Sequence, residues 1–283
     1  MQTVAELKQL CRQHNLFPSK GMGQHFLVDP SVNARFLAAL AVAPGERVVE
    51  IGPGFGALTG ALLEAGAVVT AVERDRRLAH ALKDRWGWHK SLTILRDDFL
   101  KLDWATLGEG PFAVAGNLPY VITSPVLDRL VQHHPQVRRA VLTVQREVAQ
   151  RIAAEPGSKT FGALTVFVQA HFVPTLVATI PPRAFYPQPG VTSAILSLTP
   201  RRPALIALAE LESLVTMTQA LFQRRRKTLL NGLLNPVLAL TRPTALALLE
   251  ASALPPDARP ETIEVGGFVR LSRQFRQTQG GRS

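Results

Sequence analysis

Short apolar runs rich in β-branched residues alternate, from Glu46 onward, with stretches whose apolar residues recur at helical spacing. This alternation predicts strands joined by helices, and therefore a mostly parallel sheet covered on both faces. The final two strands follow each other through a proline-rich turn, so we expect an antiparallel hairpin at one edge. The predicted strands are Arg47–Ile51, Val68–Val72, Leu92–Leu95, Phe112–Ala115, Ala140–Val144, Thr175–Ile180 and Ser193–Leu198.

The pattern changes near Pro203, where strand-like runs give way to helical apolar spacing such as Leu214, Met217 and Leu221. Prolines divide the following segment into several short helices. A helix is also indicated around Ala163–His171, although this segment could begin another strand. We predict a basic N-terminal arm (1–30), an α/β domain (31–202) and a small all-helical C-terminal domain (203–283).

The chain is strongly basic, with a net charge of +11 from 32 basic and 21 acidic residues. Such a charge favours a polyanionic partner, because each neutralised phosphate releases condensed counterions. The same balance is also typical of chains encoded by GC-rich genomes, so charge alone does not decide. Residues 201–283 hold twelve basic and six acidic residues, which places the densest charge in the predicted helical domain.

The number of cysteines and the hydropathy of the sequence indicate the cellular compartment of the protein. Cys11 is the only cysteine, which excludes a disulfide framework and cysteine-rich zinc sites and fits the reducing cytoplasm. No apolar run approaches the roughly 18–20 residues that cross a bilayer, and the first ten residues carry no apolar core of a signal peptide. We therefore expect a cytoplasmic protein with no membrane partner.

The strongest local pattern is a strand that ends in Gly52, Gly54 and Gly56 and leads directly into a helix. Glycines at such a turn allow a tight backbone and a close approach of a ligand. A nicotinamide site is the obvious competitor, but its usual spacing is Gly-x-Gly-x-x-Gly. Glu50, inside the strand, favours a cofactor bearing an ammonium and a sulfonium over a pyrophosphate, because opposite charges attract. The pattern favours S-adenosylmethionine.

Carboxylates follow the next two strands. Glu73 closes the second strand, where its oxygens can accept hydrogen bonds from both ribose hydroxyls of a cofactor. Asp98 follows the third strand and could accept from an adenine amino group, although capping of the next turn explains it equally well. Since ligands bind at the carboxyl edge of parallel sheets, we expect Glu50, Glu73 and Asp98 to surround one cofactor.

The fourth strand ends in Asn117-Leu118-Pro119-Tyr120, which resembles the (Asp/Asn/Ser)-Pro-Pro-(Tyr/Phe) motif of methyltransferases that act on ring amino groups. Such an amine is a poor nucleophile because its lone pair is delocalised. If Asn117 Oδ1 and the Leu118 carbonyl oxygen each accept one N–H, the nitrogen is drawn towards tetrahedral geometry. Pro119 would fix the backbone and Tyr120 would stack on an extruded base. This chemistry needs positioning and no metal.

Five segments, taken together and in this order, resemble the rRNA adenine dimethyltransferase family in its bacterial KsgA type. The resemblance extends over about residues 17–276 and implies a class I S-adenosylmethionine-dependent methyltransferase. Its expected fold is Rossmann-like, with a mostly parallel seven-stranded sheet, an antiparallel edge hairpin and a small all-α C-terminal domain. The segments are Gln24–Leu27, Glu50–Gly56, Asn117–Tyr120, Phe185–Ala194 and Phe222–Leu229.

The resemblance implies dimethylation of the amino groups of two adjacent adenosines in the 3′-terminal hairpin of 16S rRNA, with a role in small ribosomal subunit biogenesis. We expect a monomer, because a rigid ribosomal target needs no symmetric reader. His25 stands where the family usually has asparagine; an imidazole nitrogen can still donate or accept, so we expect cofactor binding to survive. The family's cofactor residues correspond to His25, Leu27, Gly52, Glu73, Asp98 and Asn117.

The resemblance also suggests roles in binding RNA. Phe185 is expected to supply the second wall around the target adenine, with a place in the core as the alternative. Arg224, Arg225, Arg226 and Lys227 are expected to lie in a helix and contact phosphates, with a merely solvated charged face as the alternative.

Three other functions remain open at the level of sequence. Large-subunit rRNA methyltransferases of the erythromycin-resistance type share the cofactor and the asparagine motif, but they generally lack the proline-rich segment with its arginine-rich helix. A non-catalytic RNA-binding assembly or transcription factor could use the same scaffold, although Glu73, Asp98 and Asn117 are all in place. A nicotinamide oxidoreductase would bind NADH at the glycine turn.

Overall fold

The computed structural model describes residues 3–16, 18 and 24–280. The helices are α1 (Val4–Gln13), α2 (Pro30–Leu40), α3 (Ala57–Glu64), α4 (Arg76–Trp86), α5 (Thr123–Gln132), α6 (Arg146–Ile152), α7 (Ala163–Gln169), α8 (Leu211–Gln223), α9 (Leu229–Leu233), α10 (Arg242–Ala251) and α11 (Val265–Gly280). The strands are β1 (Phe26–Leu27), β2 (Arg47–Ile51), β3 (Val68–Val72), β4 (Leu92–Leu95), β5 (Phe112–Asn117), β6 (Val137–Gln145), β7 (Phe172–Ile180), β8 (Phe185–Tyr186) and β9 (Ser193–Pro200).

Seven strands form one mixed sheet in the order β4-β3-β2-β5-β6-β9-β7. The pairs β3/β4, β2/β3, β2/β5 and β5/β6 are parallel, whereas β9 runs antiparallel to β6. The central strands are buried on both faces, which explains why Phe112–Ala115 of β5 is a continuous apolar run and not an alternating one. The predicted seven-stranded α/β sheet and its antiparallel edge are confirmed.

The chain forms two compact units. The first comprises the described residues up to Ala149 together with Thr175–Thr199, and the second comprises Gln150–Pro174 and the residues from Pro200 onward. The sequence-based division placed the boundary at 202/203 and assigned residues 150–174 to the α/β domain. These residues belong to the second unit because the core of that unit includes Phe161 and Val166.

The second unit is helical and has its own apolar core. Leu214, Met217 and Leu221 are fully buried along one face of α8, as their helical spacing predicted. Phe222 packs with Phe161 and Phe268, with ring centroids 6.1 Å and 5.6 Å apart respectively. A separate core of this kind is what allows Gln150–Pro174 and the residues from Pro200 onward to form one compact unit.

The N-terminal residues that the structure describes do not form a free arm. Thr3 caps α1 through a reciprocal pair of hydrogen bonds with Glu6, so the helix has a defined start. Leu7 and Cys11 are buried along one face of α1, in a cluster that also contains Leu78 of α4. The apolar face of α1 therefore packs within the first unit, against α4. Burial raises the pKa of the Cys11 thiol.

A two-stranded ladder joins the N-terminal segment to the proline-rich segment. Phe26 of β1 pairs with Tyr186 of β8, and Leu27 pairs with Phe185, in antiparallel register. This ladder was not predicted, because two-residue strands leave no periodic signal. In the part of the chain that the structure describes, no helix is both long enough and apolar enough to cross a membrane.

Candidate active site

A cavity opens where β2, β3 and β5 end, at the carboxyl edge of the sheet. It brings together most of the residues that the sequence predicted for the cofactor. Its described lining consists of Gln24, His25, Phe26, Leu27, Glu50, Gly52, Pro53, Gly54, Phe55, Ala57, Leu58, Glu73, Leu78, Asn117, Leu118 and Pro119. Gly21–Gly23, which belong to the same N-terminal motif, lie outside the described residues.

The turn between β2 and α3 requires glycine for two different reasons. Gly52 has φ of +64°, and a Cβ there would meet no atom within 4 Å, so the position combines a left-handed backbone with open space. Gly56 has φ of +79°, and a Cβ there would lie 2.6 Å from Leu82 and 2.8 Å from Trp86. The first glycine leaves room beside the cavity, and the second lets α4 pack closely on the start of α3.

Glu50 is a buried acid in the wall of this cavity. Only 2% of the residue is exposed, and Thr59 Oγ1 donates a 2.6 Å hydrogen bond to its Oε2. Burial, with a smaller contribution from nearby Glu73, raises the pKa of Glu50 from 4.5 to about 8. A cationic ligand in the cavity would favour the ionised carboxylate and would be held by it.

Glu73 ties the second strand end to the glycine turn. Its Oε2 accepts a 3.2 Å hydrogen bond from the Gly54 N–H, and its Oε1 accepts a 2.8 Å hydrogen bond from the Asp75 N–H. Burial raises the pKa of Glu73, although the backbone donors act in the opposite direction. Each oxygen keeps further acceptor capacity, so the carboxylate can also receive hydroxyl donors from a ligand.

The amide of Asn117 has a defined orientation at the end of β5. Its Nδ2 donates a 2.9 Å hydrogen bond to the carbonyl oxygen of His25. Because the amide nitrogen is used in this way, Oδ1 is the atom left to accept a donor from a ligand. The Leu118 N–H donates to the Thr143 carbonyl of β6 at 3.3 Å, which fixes the backbone beside it.

Tyr120 and His25 form the next part of the site. The Tyr120 hydroxyl lies 2.6 Å from Ser193 Oγ, and its ring centroid lies 5.8 Å from that of His25. Burial raises the pKa of Tyr120. His25 Nδ1 lies 2.7 Å from the Pro187 carbonyl oxygen, which can only accept, so Nδ1 carries the proton. These contacts join the N-terminal, Asn117 and proline-rich segments.

Four residues predicted for this site are absent from the described lining of the cavity: Gly56, Asp98, Tyr120 and Phe185. Phe185 is 2% exposed and packs in the core, so it does not form a wall of the cavity; the alternative, a core residue, is what the structure contains. Asp98 Oδ1 accepts from the Leu100 N–H at 3.0 Å, and its Oδ2 lies 3.5 Å from Arg74 Nη1.

The basic segment of the second unit is a turn and not the predicted helix. Helix α8 ends at Gln223, and Thr228 caps α9. Arg225 donates to the carbonyl oxygens of Ser158 and Lys159 and lies 3.8 Å from Glu261. The other three basic residues are exposed: Arg224, Arg226 and Lys227. The helical prediction was wrong because α8 ends before these residues and Thr228 caps a new helix that begins at Leu229.

Sequence reasoning missed two polar residues that support the site, Thr59 and Ser193. The signal for Thr59 was its position in the first turn of the helix after the glycines, where a side chain can face the strand end. Ser193 has no comparable signal, because its role depends on Tyr120 coming close in space. Among the described residues, no group of three His, Cys, Asp or Glu side chains could hold a metal ion.

Known proteins resemble this chain in sequence and in fold. A family model described as ribosomal RNA adenine dimethylase matches residues 18–246. A ribosomal RNA small subunit methyltransferase A from Magnetococcus marinus is 39% identical over 275 residues, covering 96% of this chain and 97% of that protein. The protein of the same name from Moorella thermoacetica is 37% identical and covers 93% and 94% respectively.

Two solved structures extend this similarity. A dimethyladenosine transferase from Plasmodium falciparum has a TM-score of 0.79 and 25% identity, covering 90% of this chain and 98% of that one. The 23S rRNA methyltransferase ErmE has a TM-score of 0.69 and 29% identity, covering 89% and 100%. The family model matches most of the chain, and the relatives match nearly all of it. The chain therefore belongs to the ribosomal RNA adenine dimethylase family.

Proposed function

We propose that this enzyme uses S-adenosylmethionine to dimethylate the amino groups of two adjacent adenosines in the 3′-terminal hairpin of 16S rRNA, within the small ribosomal subunit. The observation that carries the proposal is the Asn117 amide, whose Oδ1 is left to accept because Nδ2 donates to the His25 carbonyl. The names of the relatives that are 37–39% identical support the small subunit as the target.

The cavity fits S-adenosylmethionine in three respects. Buried Glu50 can face the cofactor's cationic part, Glu73 can accept from its ribose hydroxyls, and Gly52 leaves open space beside them. When bound, the cofactor supplies a methyl group on a sulfonium, which is so good a leaving group that no nucleophilic residue is required. Asp98 completes the proposed set as an acceptor for the adenine amino group, provided that it exchanges its contact with Arg74.

The protein's part in the reaction is to position the target amine. Asn117 Oδ1 and the Leu118 carbonyl oxygen accept its two N–H groups, which localises the nitrogen lone pair. Pro119 holds that carbonyl in place, and the half-buried Tyr120 ring offers a face on which the extruded adenine stacks. These contacts orient the amine, and acceptors that are already in place are more effective than water molecules that must reorganise.

Exposed cations provide the proposed contacts with RNA. Arg224, Arg226 and Lys227 project from the turn between α8 and α9, and the chain as a whole carries a net charge of +11. We propose that these three side chains bind phosphates, whereas Arg225 maintains the turn. A single chain supplies all of these groups, and we propose that the enzyme acts as a monomer.

The test is transfer of tritiated methyl groups from S-adenosylmethionine to small subunits purified from a strain that lacks this modification. The expected product is N6-dimethyladenosine, at two adjacent positions of the 3′-terminal hairpin of 16S rRNA. The same assay is run in parallel on purified large subunits, and label found there but not on the small subunits would instead support the activity named for ErmE, which the structural similarity makes the second candidate. Cofactor binding without any methyl transfer would support a non-catalytic RNA-binding role.

A further inference from the structure

Two exposed valines lie beside the reaction site. One exposes most of its surface and the other nearly half. Val121 is 72% exposed and directly follows Tyr120, in the short 3-10 turn Tyr120–Ile122. Val191 is 44% exposed and lies in the loop that leads into β9. An isolated exposed valine is ordinary on a protein surface. The position of these two, each next to a segment that builds the site, is what distinguishes them.

The two valines stand on segments that are joined to each other. The Tyr120 hydroxyl lies 2.6 Å from Ser193 Oγ, so the turn carrying Val121 is linked to the start of β9. The Thr192 carbonyl accepts a 3.0 Å hydrogen bond from the Arg146 N–H. Ser193 is fully buried and pairs with Gln145 of β6. Each valine therefore adjoins a residue whose hydrogen bonds connect it to the sheet, Tyr120 for Val121 and Thr192 for Val191.

An enzyme that acts on a base amino group has to remove that base from its stack, which costs a few kcal/mol in a paired helix. Apolar side chains that pack against the neighbouring bases offset part of this cost. An apolar surface beside the stacking tyrosine fits this requirement, because a base exposed by extrusion has an apolar face to cover. The exposed Arg146 stands next to it, where its guanidinium can neutralise a phosphate.

We propose that Val121 and Val191 form an apolar lip that packs against the base next to the target adenosine and fills the gap left when that adenosine is extruded. The lip is a positioning element: it acts on the RNA stack and does not touch the reacting nitrogen. This inference rests on the proposed function, since it requires an RNA adenosine in the Tyr120 site.

The experiment compares Val121→Ala, Val191→Ala and the double variant with Val68→Ala. Val68 is a matched control, because it is 42% exposed but lies at the amino end of β3, on the edge of the sheet opposite the cavity. Methyl transfer is measured on undermethylated small subunits. A second readout is fluorescence of the hairpin carrying 2-aminopurine at the target position, which lacks the reactive amine and brightens when unstacked.

We expect kcat/KM to fall about 3- to 10-fold for each lip variant and further for the double variant, mainly through KM, with the 2-aminopurine signal reduced in parallel. Val68→Ala should match the wild type. A substrate whose target adenosine is already unstacked by a mismatch should restore most of the lost rate.

Equal behaviour of the lip variants and Val68→Ala on both substrates would overturn the proposal. So would a loss of rate that the mismatch does not relieve, or a loss of cofactor affinity, since either would indicate a general structural role. A wild-type enzyme that methylates no RNA would instead overturn the proposed function, and the two failures are distinguished by that first measurement.

Discussion

The cavity at the sheet edge and the basic turn Arg224–Lys227 both contain charged residues, but their surroundings differ. In the cavity, Glu50 and Glu73 are buried and their positions follow from strands that end there. In the turn, successive basic residues look equivalent in sequence, yet Arg225 is bound by two carbonyl oxygens while Arg226 is exposed. The positions of the cavity acids follow from where their strands end, whereas the role of each arginine in the turn depends on its contacts with residues distant in the sequence.

The largest effect is expected from Asn117→Ala, which removes an acceptor proposed to act on the reacting amine. Methyl transfer should fall about 100- to 1,000-fold, as for other single groups that stabilise a transition state. Cofactor affinity should change only a few-fold, which calorimetry can measure. Asn33→Ala is a matched control, because Asn33 Nδ2 also donates to a carbonyl, that of Ala57, at 3.1 Å. Near-normal transfer by Asn117→Ala would contradict the proposed role of the amide.

Glu50→Gln should weaken cofactor binding and stabilise the unliganded protein at high pH. The pKa of Glu50 is raised from 4.5 to about 8, so the folded protein resists an ionisation that the unfolded chain undergoes freely. The stability that depends on the protonated Glu50 is therefore fully present below about pH 4.5 and is lost as the pH rises through about 8. Glutamine does not titrate, so the free energy of unfolding of the variant should exceed that of the wild type by roughly 2–4 kcal/mol at pH 9.

Denaturant unfolding at pH 5 and pH 9, without cofactor, measures this difference. The advantage of Glu50→Gln should be small at pH 5 and large at pH 9. Affinity for S-adenosylmethionine should fall about 10- to 100-fold, because a buried carboxylate facing a cation is replaced by a neutral amide. A variant that is less stable than the wild type at pH 9 would show that burial does not disfavour the ionised acid.

Arg225→Ala and Arg226→Ala should separate structure from RNA binding within one turn. Arg225→Ala should cost about 1–3 kcal/mol of unfolding free energy, since it leaves carbonyl oxygens and Glu261 without their partner. Arg226→Ala should change stability by less than about 0.5 kcal/mol. It should weaken RNA binding a few-fold and reduce the salt dependence of binding by about one ion. Equal effects of both variants on stability would contradict the distinction between a structural Arg225 and an RNA-binding Arg226.

The smallest effect is expected from His25→Asn, which introduces the residue that the family usually has. Asn117 binds the backbone carbonyl of residue 25, and this carbonyl is present with either side chain. An asparagine amide can also donate to Pro187 in place of the imidazole Nδ1. Methyl transfer should stay within about 3-fold of the wild type. A much larger loss would indicate that the imidazole itself takes part in the reaction.

The predicted strands of the large sheet are all present, but their ends and partners show where sequence reasoning stops. Strand β6 runs from Val137 to Gln145, longer than the predicted Ala140–Val144, because the adjacent Arg138 and Arg139 interrupt the apolar run near its start. The β1/β8 ladder was missed because two residues form no period. Residues 150–174 were placed with the sheet, although their apolar side chains complete the core of the second unit.

The sequence by itself determined the alternation of strands and helices, the glycine turn, and the acids and amide at strand ends. These follow from local causes, namely side-chain period and the backbone freedom of glycine. Only the tertiary structure decided that Phe185 is buried, that Arg225 supports a turn, and which atom of Asn117 is left for a ligand. Those outcomes depend on contacts between residues far apart in the chain, such as Asn117 with His25, 92 positions away, and no local pattern encodes such partners.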